Sequence, residues 1–473
     1  MPWINDGDGV SNCVLYLDEI LKSMGYSSSI YAKSGMMHSP KKSKIYNVDS
    51  YSSIGIEKED ILFFHYSGAT DCLLEIEKIK CKKVLVFQNV SNPELYRKTD
   101  WKVYTTLAVG VEEARHTHLI FDRAITLSGY SKQNLVEYGW EEEKIDVVPI
   151  IPLPESNIEV DECIINKFND ETINFLHIGR VAPNKKIEDI VHIFEYYQKN
   201  IESNTRLLLV GDIQFNNYYD ALQKYIDEHN INNVEITGSI SQEEVEAYYR
   251  VADLYLCMSE HEGFCLPIIE SFQRKVPVVA YNSTAVPYTM GGAGVLVETK
   301  EPSEVSAYIR QLLEDDEYRE RIIDAQYNRA SNFQINAYTN TLERLLKQVT
   351  IPVDRRDFSQ RFQDDIKLKR INCEGHNLFE GECIIYGYGK AGRKLYGELS
   401  EKEKKKIKAI CDNGETKNEN VIKHNECINK YTDCNYIVTM QKGYISVIQK
   451  LLVDGIKAEK IYFYDCSKNQ ISQ

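Results

Sequence analysis

Two glutamates, Glu262 and Glu270, stand eight residues apart in the segment SEHEGFCLPIIESF. Gly263 and Phe264 follow the first glutamate, and Pro267 stands where a helix should begin. Ligands of open α/β sheets bind beside the carboxyl ends of strands, and the free amides of a helix N-terminus attract anions. A carboxylate can also accept two hydroxyl protons at once. The segment therefore predicts a site for an anionic ligand that carries a sugar or a ribose diol.

A pair of cations occupies a second strand-to-helix loop, in the segment HIGRVAPNKK. Arg180 and Lys185 follow Gly179 at the end of a predicted strand. Such a pair can clamp a diphosphate, with arginine acting as a fork and lysine as a point charge.

A glycine-rich turn opens the first predicted helix, in the segment DGDGVSN. Gly7, Asp8 and Gly9 lie in this turn. Glycines at a helix N-terminus let backbone amides approach phosphate or sugar oxygens. The strand that normally leads into such a turn is either truncated here or begins upstream of Met1.

The two charged motifs resemble those of a known family, the retaining GT-B glycosyltransferases of family 4 (group 1 glycosyltransferases). Glu262 and Glu270 match its Glu-x7-Glu motif, and Arg180 and Lys185 match its GR-x4-K motif. The resemblance implies that Glu262 contacts the transferred sugar, that Glu270 contacts the ribose, and that the cations stabilise the leaving nucleoside diphosphate. It also implies that the leaving phosphate accepts the proton of the incoming hydroxyl, so neither a separate base nor a metal is expected.

Other donor-binding positions follow from the same resemblance, which spans about residues 7–350. Gly211 ends the predicted strand RLLLVGD, and the loop TGSIS is expected to contact the base through its backbone. The full set of predicted donor-binding residues is Gly7, Asp8, Gly9, Gly211, Ser239, Ile240, Gly263, Phe264, Cys265, Leu266 and Glu270.

One polar residue of the N-terminal third completes the predicted catalytic set. A branch of the family carries HN-x-TP where this chain has QNVSNP, so Gln88 stands in the place of a histidine. We therefore expect His65, in the segment HYSG, to line the sugar site in its stead. A loop histidine without a role is the alternative.

Short apolar runs that favour strands alternate with segments of helical periodicity along the chain. The ten strands predicted for the first 300 residues are SSSIYAK, ILFFHYSG, KKVLVFQN, RAITLSG, KIDVVPI, INFLHIGR, RLLLVGD, VEITGSI, ADLYLCMS and PVVAYN. Continuous apolar strands in this alternation predict parallel sheets covered by helices on both faces. We predict an α/β protein of the GT-B type, with two doubly wound Rossmann-like domains facing a cleft. Residues 1–152 would form the acceptor domain and residues 153–350 the donor domain, joined at the proline-containing segment IIPLPESN.

A third, small Rossmann-like α/β domain is predicted for residues 353–473. Gly387, Gly389 and Gly392 form a G-x-G-x-x-G pattern between a strand and a helix, and Asp412 ends the next strand. The pattern is that of a nucleotide site, so nucleotide or nucleotide-sugar binding is one role open to this module. Because only half of a dinucleotide-binding fold is present, docking or oligomerisation is at least as well supported, and no reaction is assigned to this module.

The composition narrows the class of protein. A net charge of −15 argues against binding to nucleic acid. No apolar run is long enough to span a membrane, and the N-terminal sequence has no signal-peptide pattern. The twelve cysteines are scattered and include no CxxC pair, which favours a reducing cytoplasm and disfavours a zinc site. A peripheral contact with the inner face of the membrane stays open.

The sequence thus predicts a retaining, metal-independent hexosyl- or deoxyhexosyltransferase that needs no cofactor. Its donor would be a nucleotide sugar, and its acceptor a saccharide, a lipid-linked molecule or a protein in bacterial surface glycan or glycoprotein synthesis. A GT-B nucleotide-sugar epimerase is one alternative, disfavoured by the two motifs. The other is a non-catalytic nucleotide-sugar-binding subunit of a glycosylation complex, and the intact Glu262, Arg180 and Lys185 argue against it.

Overall fold

A computed structural model gives the architecture of the chain. It describes residues 3–4, 9–35, 45–48, 50–51, 54–70, 72–150, 159–349, 381–412, 421–439, 447, 451, 454–456 and 460–463. The chain divides into two compact units. Unit 1 comprises Met1–Asp100 and Gly110–Asp354, and unit 2 comprises Trp101–Val109 and Arg355–Gln473. Within unit 1, the described residues up to 150 are called the N-terminal half, and residues 159–349 the C-terminal half.

The C-terminal half is built on a six-stranded parallel sheet with the strand order β11-β10-β9-β12-β13-β14. The strands are β9 (Ile173–Ile178), β10 (Thr205–Val210), β11 (Val234–Ile236), β12 (Leu254–Cys257), β13 (Val278–Tyr281) and β14 (Val295–Val297). In chain order this is the 3-2-1-4-5-6 arrangement of a doubly wound sheet. The winding direction reverses between β9 and β12, and a crevice forms there beside the carboxyl ends of the strands.

Helices that pack on this sheet follow from apolar periodicity and from capping. Ile187, Ile190, Val191 and Phe194 are all buried on one face of α6, as their spacing predicts. A capping box at Ser241 starts α8. The helices are α5 (Glu162–Phe168), α6 (Ile187–Asn200), α7 (Asn216–Glu228), α8 (Gln242–Val251), α9 (Leu266–Gln273), α10 (Val286–Met290), α11 (Pro302–Glu314), α12 (Asp316–Ala330) and α13 (Ile335–Val349).

The N-terminal half contains a four-stranded parallel sheet in the order β5-β6-β7-β8 and two two-stranded parallel pairs, β1-β3 and β2-β4. The strands are β1 (Trp3–Ile4), β2 (Ile30–Ala32), β3 (Ser34–Gly35), β4 (Ile45–Asn47), β5 (Ile61–Tyr66), β6 (Lys82–Phe87), β7 (Arg123–Thr126) and β8 (Ile145–Val147). The helices are α1 (Gly9–Ser23), α2 (Leu73–Lys78) and α4 (Gly129–Glu137). Helix α3 (Trp101–Ala114) is divided between the units, because Trp101–Val109 belongs to unit 2 and the rest of the helix to unit 1. The apolar runs of β5 and β6 supply buried residues because helices cover them.

Unit 2 contains a five-stranded parallel sheet in the order β17-β16-β15-β18-β19, which is 3-2-1-4-5 in chain order. Its strands are β15 (Cys383–Tyr386), β16 (Ile407–Cys411), β17 (Val421–Ile422), β18 (Asn435–Val438) and β19 (Ile461–Phe463). Its helices within the described residues are α14 (Lys390–Glu398), α15 (Glu401–Lys404) and α16 (His424–Lys430).

The predicted α/β class with parallel sheets is confirmed. No helix among the described residues has both the length and the apolar character needed to cross a membrane.

Candidate functional site

The loop between β12 and α9 carries the first glutamate of the predicted pair. Cys265, the residue before α9, takes a left-handed backbone conformation with φ of 65°, and Pro267 lies in the first turn of the helix. The backbone amide of Glu262 donates a hydrogen bond to Oγ1 of Thr284, at 2.9 Å. The loop is therefore held at both ends, and Glu262 is fixed at the carboxyl edge of the sheet.

A buried ion pair joins the two motifs that the sequence singled out. Nζ of Lys185 lies 2.7 Å from Oε1 of Glu262, and only 15% and 8% of the two side chains are exposed. Burial alone would raise the pKa of Glu262, but the Lys185 ammonium outweighs it and the pKa is lowered. Burial likewise opposes the charge of Lys185, and Glu262 reverses this so that the pKa of Lys185 is raised. Both groups are therefore charged near neutral pH.

Arg180 lies at the same edge in a different environment. Its side chain is exposed, and Nη1 donates to Oε1 of Gln214 at 3.0 Å. Lys185 is paired with a carboxylate, whereas among the described residues Arg180 has a hydrogen bond only to a neutral amide. The two predicted cations therefore lie on one loop, but the Arg180 side chain is more exposed and less constrained than that of Lys185. Arg180 is the cation that can bind an incoming anion.

Asn184 ties this cation loop to its surroundings, a role that the sequence analysis missed. Its backbone carbonyl accepts from the amide of Glu260 at 2.9 Å, and its Nδ2 donates to the carbonyl of His261 at 3.2 Å. Its Oδ1 accepts from the hydroxyl of Tyr96, in the N-terminal half, at 2.7 Å. One asparagine thus fixes the cation loop, the Glu262 loop and the N-terminal half against one another. Its position directly before Lys185 is the sequence signal that could have found it.

Gly211 belongs to the third loop at this edge, where the backbones approach too closely for a side chain. A Cβ atom added to Gly211 would overlap the carbonyl oxygen of Gly179. Ser239, in the next loop, donates from Oγ to Oδ1 of Asp212 at 3.1 Å, and Ile240 is partly buried against the core. The residues predicted from the TGSIS loop therefore lie beside the loop that follows β10.

Glu270, the second glutamate of the motif, lies on α9 and accepts a hydrogen bond from the hydroxyl of Tyr249 at 2.8 Å. Burial raises its pKa, while the nearby Arg274 guanidinium acts in the opposite direction. The negative charge of Glu270 also reaches Tyr16, on α1 of the N-terminal half. Glu270 therefore faces the region where the two halves meet, with Tyr249 bound to one of its oxygens.

The remaining motif residues contribute backbone more than side chain. Phe264 is buried, and its ring packs edge-on against Phe333 with the centroids 5.5 Å apart. Its carbonyl accepts a hydrogen bond from the Thr289 hydroxyl. Leu266 is partly buried against the same core. A ligand at this loop can therefore meet the backbone of these residues, because the Phe264 side chain is taken up by the core.

His65, near the end of β5, and Gln88, directly after β6, are brought together in the N-terminal half. Nε2 of Gln88 lies 2.8 Å from Nδ1 of His65 and 3.3 Å from the carbonyl of Val10, to which it donates. Burial lowers the pKa of His65 to about 3, so the ring is neutral at physiological pH. With Gln88 as the donor, Nδ1 of His65 accepts and its proton resides on Nε2.

The Glu262 loop lies directly against this histidine–glutamine pair. A Cβ atom on Gly263 would stand 2.8 Å from the carbonyl oxygen of Gln88 and 3.3 Å from Cβ of Asn89. The carbonyl of Gly263 also accepts from Oγ of Ser131 at 3.4 Å. Only glycine permits so close an approach of the Glu262 loop to the backbone of Gln88 and Asn89. This approach brings His65 and Glu262 to the same site.

Two further histidines border the ion pair and were not predicted. Nε2 of His261 and Nε2 of His177 are buried without a hydrogen-bond partner among the described residues. Burial lowers the pKa of each ring to about 4. The charges of Lys185 and Glu262 reach both rings. Each neutral ring therefore keeps one polar nitrogen available beside the ion pair.

The glycine-rich N-terminal turn is only partly described. Gly7 and Asp8 lie outside the described residues. Gly9 is the first residue of α1, and a Cβ atom added to it would meet nothing within 4 Å.

The glycine-rich loop of unit 2 has the geometry that its pattern predicts. Gly387 has a φ of 97°, a Cβ atom on Gly389 would meet nothing within 4 Å, and one on Gly392 would overlap the carbonyl of Gly387. Gly387 therefore makes the tight turn, Gly389 leaves the backbone open to a ligand, and Gly392 lets the helix pack closely. These are the three roles that glycines have in a dinucleotide-binding loop. Oδ2 of Asp412 accepts from the amide of Tyr388 at 2.5 Å, so the acidic residue contacts the loop itself.

Comparison with known proteins finds similarity mainly in the C-terminal half. Residues 163–329 match the family model described as "Glycosyl transferases group 1". The O-antigen chain mannosyltransferase B of Escherichia coli is 29% identical over 147 residues, which cover 31% of this chain and 38% of that protein. The trehalose synthase of Thermococcus litoralis is 27% identical over 194 residues, 38% of this chain and 46% of that protein. The matched stretches thus span less than half the length of these relatives.

Solved structures share the fold over a larger part of the chain. A sucrose-phosphate synthase from Thermosynechococcus elongatus covers 74% of this chain and 96% of its own, with a TM-score of 0.59 and 15% identity. The Anabaena protein HepE, solved in complex with UDP and glucose, covers 72% of this chain and 98% of its own, with a TM-score of 0.55 and 16% identity. The predicted GT-B fold is confirmed by these likenesses.

Proposed function

We propose that this chain, whose residues 163–329 form a group 1 glycosyltransferase domain, is a retaining transferase that moves a hexose or deoxyhexose from a nucleotide sugar to a glycan or protein acceptor. The observation that carries the proposal is the Lys185–Glu262 ion pair, 2.7 Å long and buried at the crevice between β9 and β12. A parallel sheet binds its ligand at this place.

The charges at this edge suit a nucleoside diphosphate sugar. Arg180 is exposed and donates to the neutral amide of Gln214, so its guanidinium can turn to a diphosphate and bind it with two hydrogen bonds. Lys185 supplies a second positive charge from within the protein. Together they would stabilise the negative charge that develops on the leaving nucleoside diphosphate, in a site where water is largely excluded.

The two carboxylates suit the hydroxyl-bearing parts of the donor. Glu262 is ionised because Lys185 lowers its pKa, so it can only accept hydrogen bonds, as sugar hydroxyls require. Glu270 lies further along α9 and would accept from the ribose, with Tyr249 orienting its carboxylate. Gly211, Ser239 and Ile240 would contact the base from the adjacent loops.

The N-terminal half would complete the sugar site with neutral groups. His65 is uncharged and held by Gln88, and the Glu262 loop packs on that pair through Gly263. A neutral donor beside the sugar can orient a hydroxyl without opposing the positive charge of the oxocarbenium-like transition state. The proton of the incoming acceptor hydroxyl would pass to the leaving phosphate, so transfer would retain the configuration and require no metal.

The relatives support glycosyl transfer as the class of reaction but do not identify the sugar that is transferred. A mannosyltransferase of O-antigen chains is among the sequence relatives, and HepE was solved with UDP and glucose. We place the chain in surface polysaccharide or glycoprotein synthesis on this basis, with a saccharide, lipid-linked or protein acceptor.

The proposal is tested by nucleotide binding to the full-length chain. Thermal unfolding is measured with UDP, GDP, dTDP and ADP, since a ligand at 100 times its dissociation constant adds about 2.7 kcal/mol of apparent stability. One nucleotide should raise the melting temperature, Arg180→Ala should lose most of that rise, and Arg321→Ala, an exposed arginine on α12, should keep it. No rise with any nucleotide, or an equal rise in both variants, would contradict the proposal.

Two other functions make different predictions in the same system. A nucleotide-sugar epimerase would convert the donor without releasing a nucleoside diphosphate. A non-catalytic partner subunit would bind the nucleotide but show no turnover in the wild type, in Arg180→Ala or in Glu262→Ala.

For unit 2 we propose a second nucleotide site at Gly387, Gly389, Gly392 and Asp412. The contact of Asp412 with the amide of Tyr388 favours it over a docking role alone, since the acidic group lies at the glycine-rich loop. Gly389→Val would close the open approach and should abolish nucleotide binding that Arg180→Ala leaves intact. Failure to find any such second binding event would favour docking or oligomerisation.

A further inference from the structure

Two cysteines of the C-terminal half lie beside the ion pair and have no part in the proposed reaction through their thiols. Cys257 ends β12, and Cys265 precedes α9. Their sulfur atoms are 3.9 Å apart. One sulfur from each cysteine and one carboxylate oxygen of Glu262 all lie within 4.8 Å of one another, and the three residues are buried.

This set of atoms has the composition and nearly the spacing of a tetrahedral metal site. Zinc binds thiolate at about 2.3 Å and carboxylate at about 2.0–2.2 Å, and a tetrahedral angle then places two sulfur ligands about 3.8 Å apart. The two thiols are already at 3.9 Å, so the ligands need little rearrangement. Two thiolates and one carboxylate also select soft or borderline cations over magnesium or calcium.

Lys185 competes for the same carboxylate. Its ammonium lies 2.7 Å from Oε1 of Glu262, so a dication held by the same carboxylate would stand close to this positive charge. A dication and an ammonium cannot share one buried carboxylate without strong repulsion. Metal binding would therefore free Lys185 from Glu262, and two thiol protons would pass to solvent as two metal–sulfur bonds and one metal–oxygen bond form.

We propose that Cys257, Cys265 and Glu262 bind a thiophilic divalent cation such as Zn²⁺ or Cd²⁺, and that the bound ion inhibits transfer by displacing Lys185. The binding site stands on the geometry alone, whereas the inhibition rests on the proposed function. The metal is thus an inhibitor of the site and takes no part in the transfer reaction.

Cadmium binding to the reduced full-length chain tests the site directly. We expect sulfur-to-cadmium charge-transfer absorption that saturates near one equivalent. Cys257→Ser and Cys265→Ser should each weaken binding by about 100-fold or more, since losing even an outer partner of a metal ligand costs 10- to 100-fold. Cys81→Ser, at a buried cysteine of the N-terminal half, is the matched control and should bind normally. Absent absorption, or absorption that persists in both site variants, would overturn the site.

Lys185→Met separates this proposal from adventitious thiol binding. Without its competing ammonium, the site should bind cadmium more tightly than the wild type, and cadmium should raise the melting temperature of this variant more than that of the wild type. Equal affinity in the two proteins would contradict the competition.

Inhibition is measured as the ratio of turnover with and without the ion within each protein. The ratio should fall in the wild type at the concentrations that saturate the absorption, and it should stay near one in Cys257→Ser. Binding without any turnover in metal-free wild type would refute the transferase and leave the metal site standing. Turnover unaffected by saturating cadmium would refute the inhibition.

Discussion

Removing the Lys185 ammonium should expose how strongly the buried ion pair constrains the protein. Lys185 and Glu262 are 15% and 8% exposed, so solvent screens their interaction little. Lys185→Met leaves the carboxylate buried and unpaired, which costs about 3–5 kcal/mol when one partner of a buried pair is removed. Glu262→Gln leaves the ammonium unpaired at a similar cost. The double variant buries neither charge, so it should lose much less than the sum of the two single losses.

The pH dependence of this effect has a definite sign. In the wild type the pKa of Glu262 lies below its unfolded value, so its contribution is present above that unfolded value and is lost as the pH falls through the folded pKa. In Lys185→Met burial is the largest influence that remains, and it raises the pKa of Glu262. The deficit of the variant should therefore be large near neutral pH and shrink as the pH falls and the carboxyl becomes neutral.

Urea unfolding followed by circular dichroism measures both effects in the wild type, the two single variants and the double variant. The coupling energy of the cycle should be several kcal/mol near pH 7 and smaller near pH 5. Additive losses, or a Lys185→Met deficit that does not change with pH, would refute the ion pair as described.

Three further predictions concern the reaction. Gly263→Ala places a methyl group 2.8 Å from the carbonyl oxygen of Gln88 and should displace the Glu262 loop, so kcat should fall at least about tenfold. Gly55→Ala is the control: its methyl group meets nothing within 4 Å, so it should have no effect on steady-state kinetics. Glu270→Gln should raise KM for the donor more than it lowers kcat, because the ribose contact is the same in ground and transition states; a kcat loss alone would contradict that role. Burial holds the pKa of His65 at about 3, so kcat/KM should show no break near pH 6.5 from this ring, and a break that His65→Gln removes would disprove its neutral state.

Much of the fold was predictable because apolar runs and helical periodicity are local signals. All ten strands predicted for the first 300 residues are present, as β2 and as β5 through β13. The short strands β1, β3, β4 and β14 were missed, since two or three residues carry too little pattern to stand out from a turn. The strand orders were not predicted, because a parallel order depends on crossovers that the sequence does not display.

The candidate site, like the fold, could be predicted only in part from the sequence. The predicted residues Glu262, Arg180 and Lys185 do converge on one sheet edge, since each follows a strand of the same parallel sheet. The unequal exposure of the two cations could not be read from their spacing. Tyr96 and Asn184 were missed as site residues because their contact joins positions far apart in the chain. The place of Asn184 directly before Lys185 was the one local signal, and it says nothing of Tyr96.

The central claim is tested most directly by turnover of the full-length chain with the nucleotide sugar whose nucleotide stabilises it. Proton NMR follows the anomeric signal of the donor, the release of nucleoside diphosphate and the anomeric configuration of the product. We expect one nucleoside diphosphate to be released for each donor consumed, and a product that retains the donor configuration. The rate of Arg180→Ala should be about 100- to 1,000-fold lower than that of the wild type. Conversion of the donor to an epimer without nucleotide release, or equal rates in the wild type and Arg180→Ala, would contradict it.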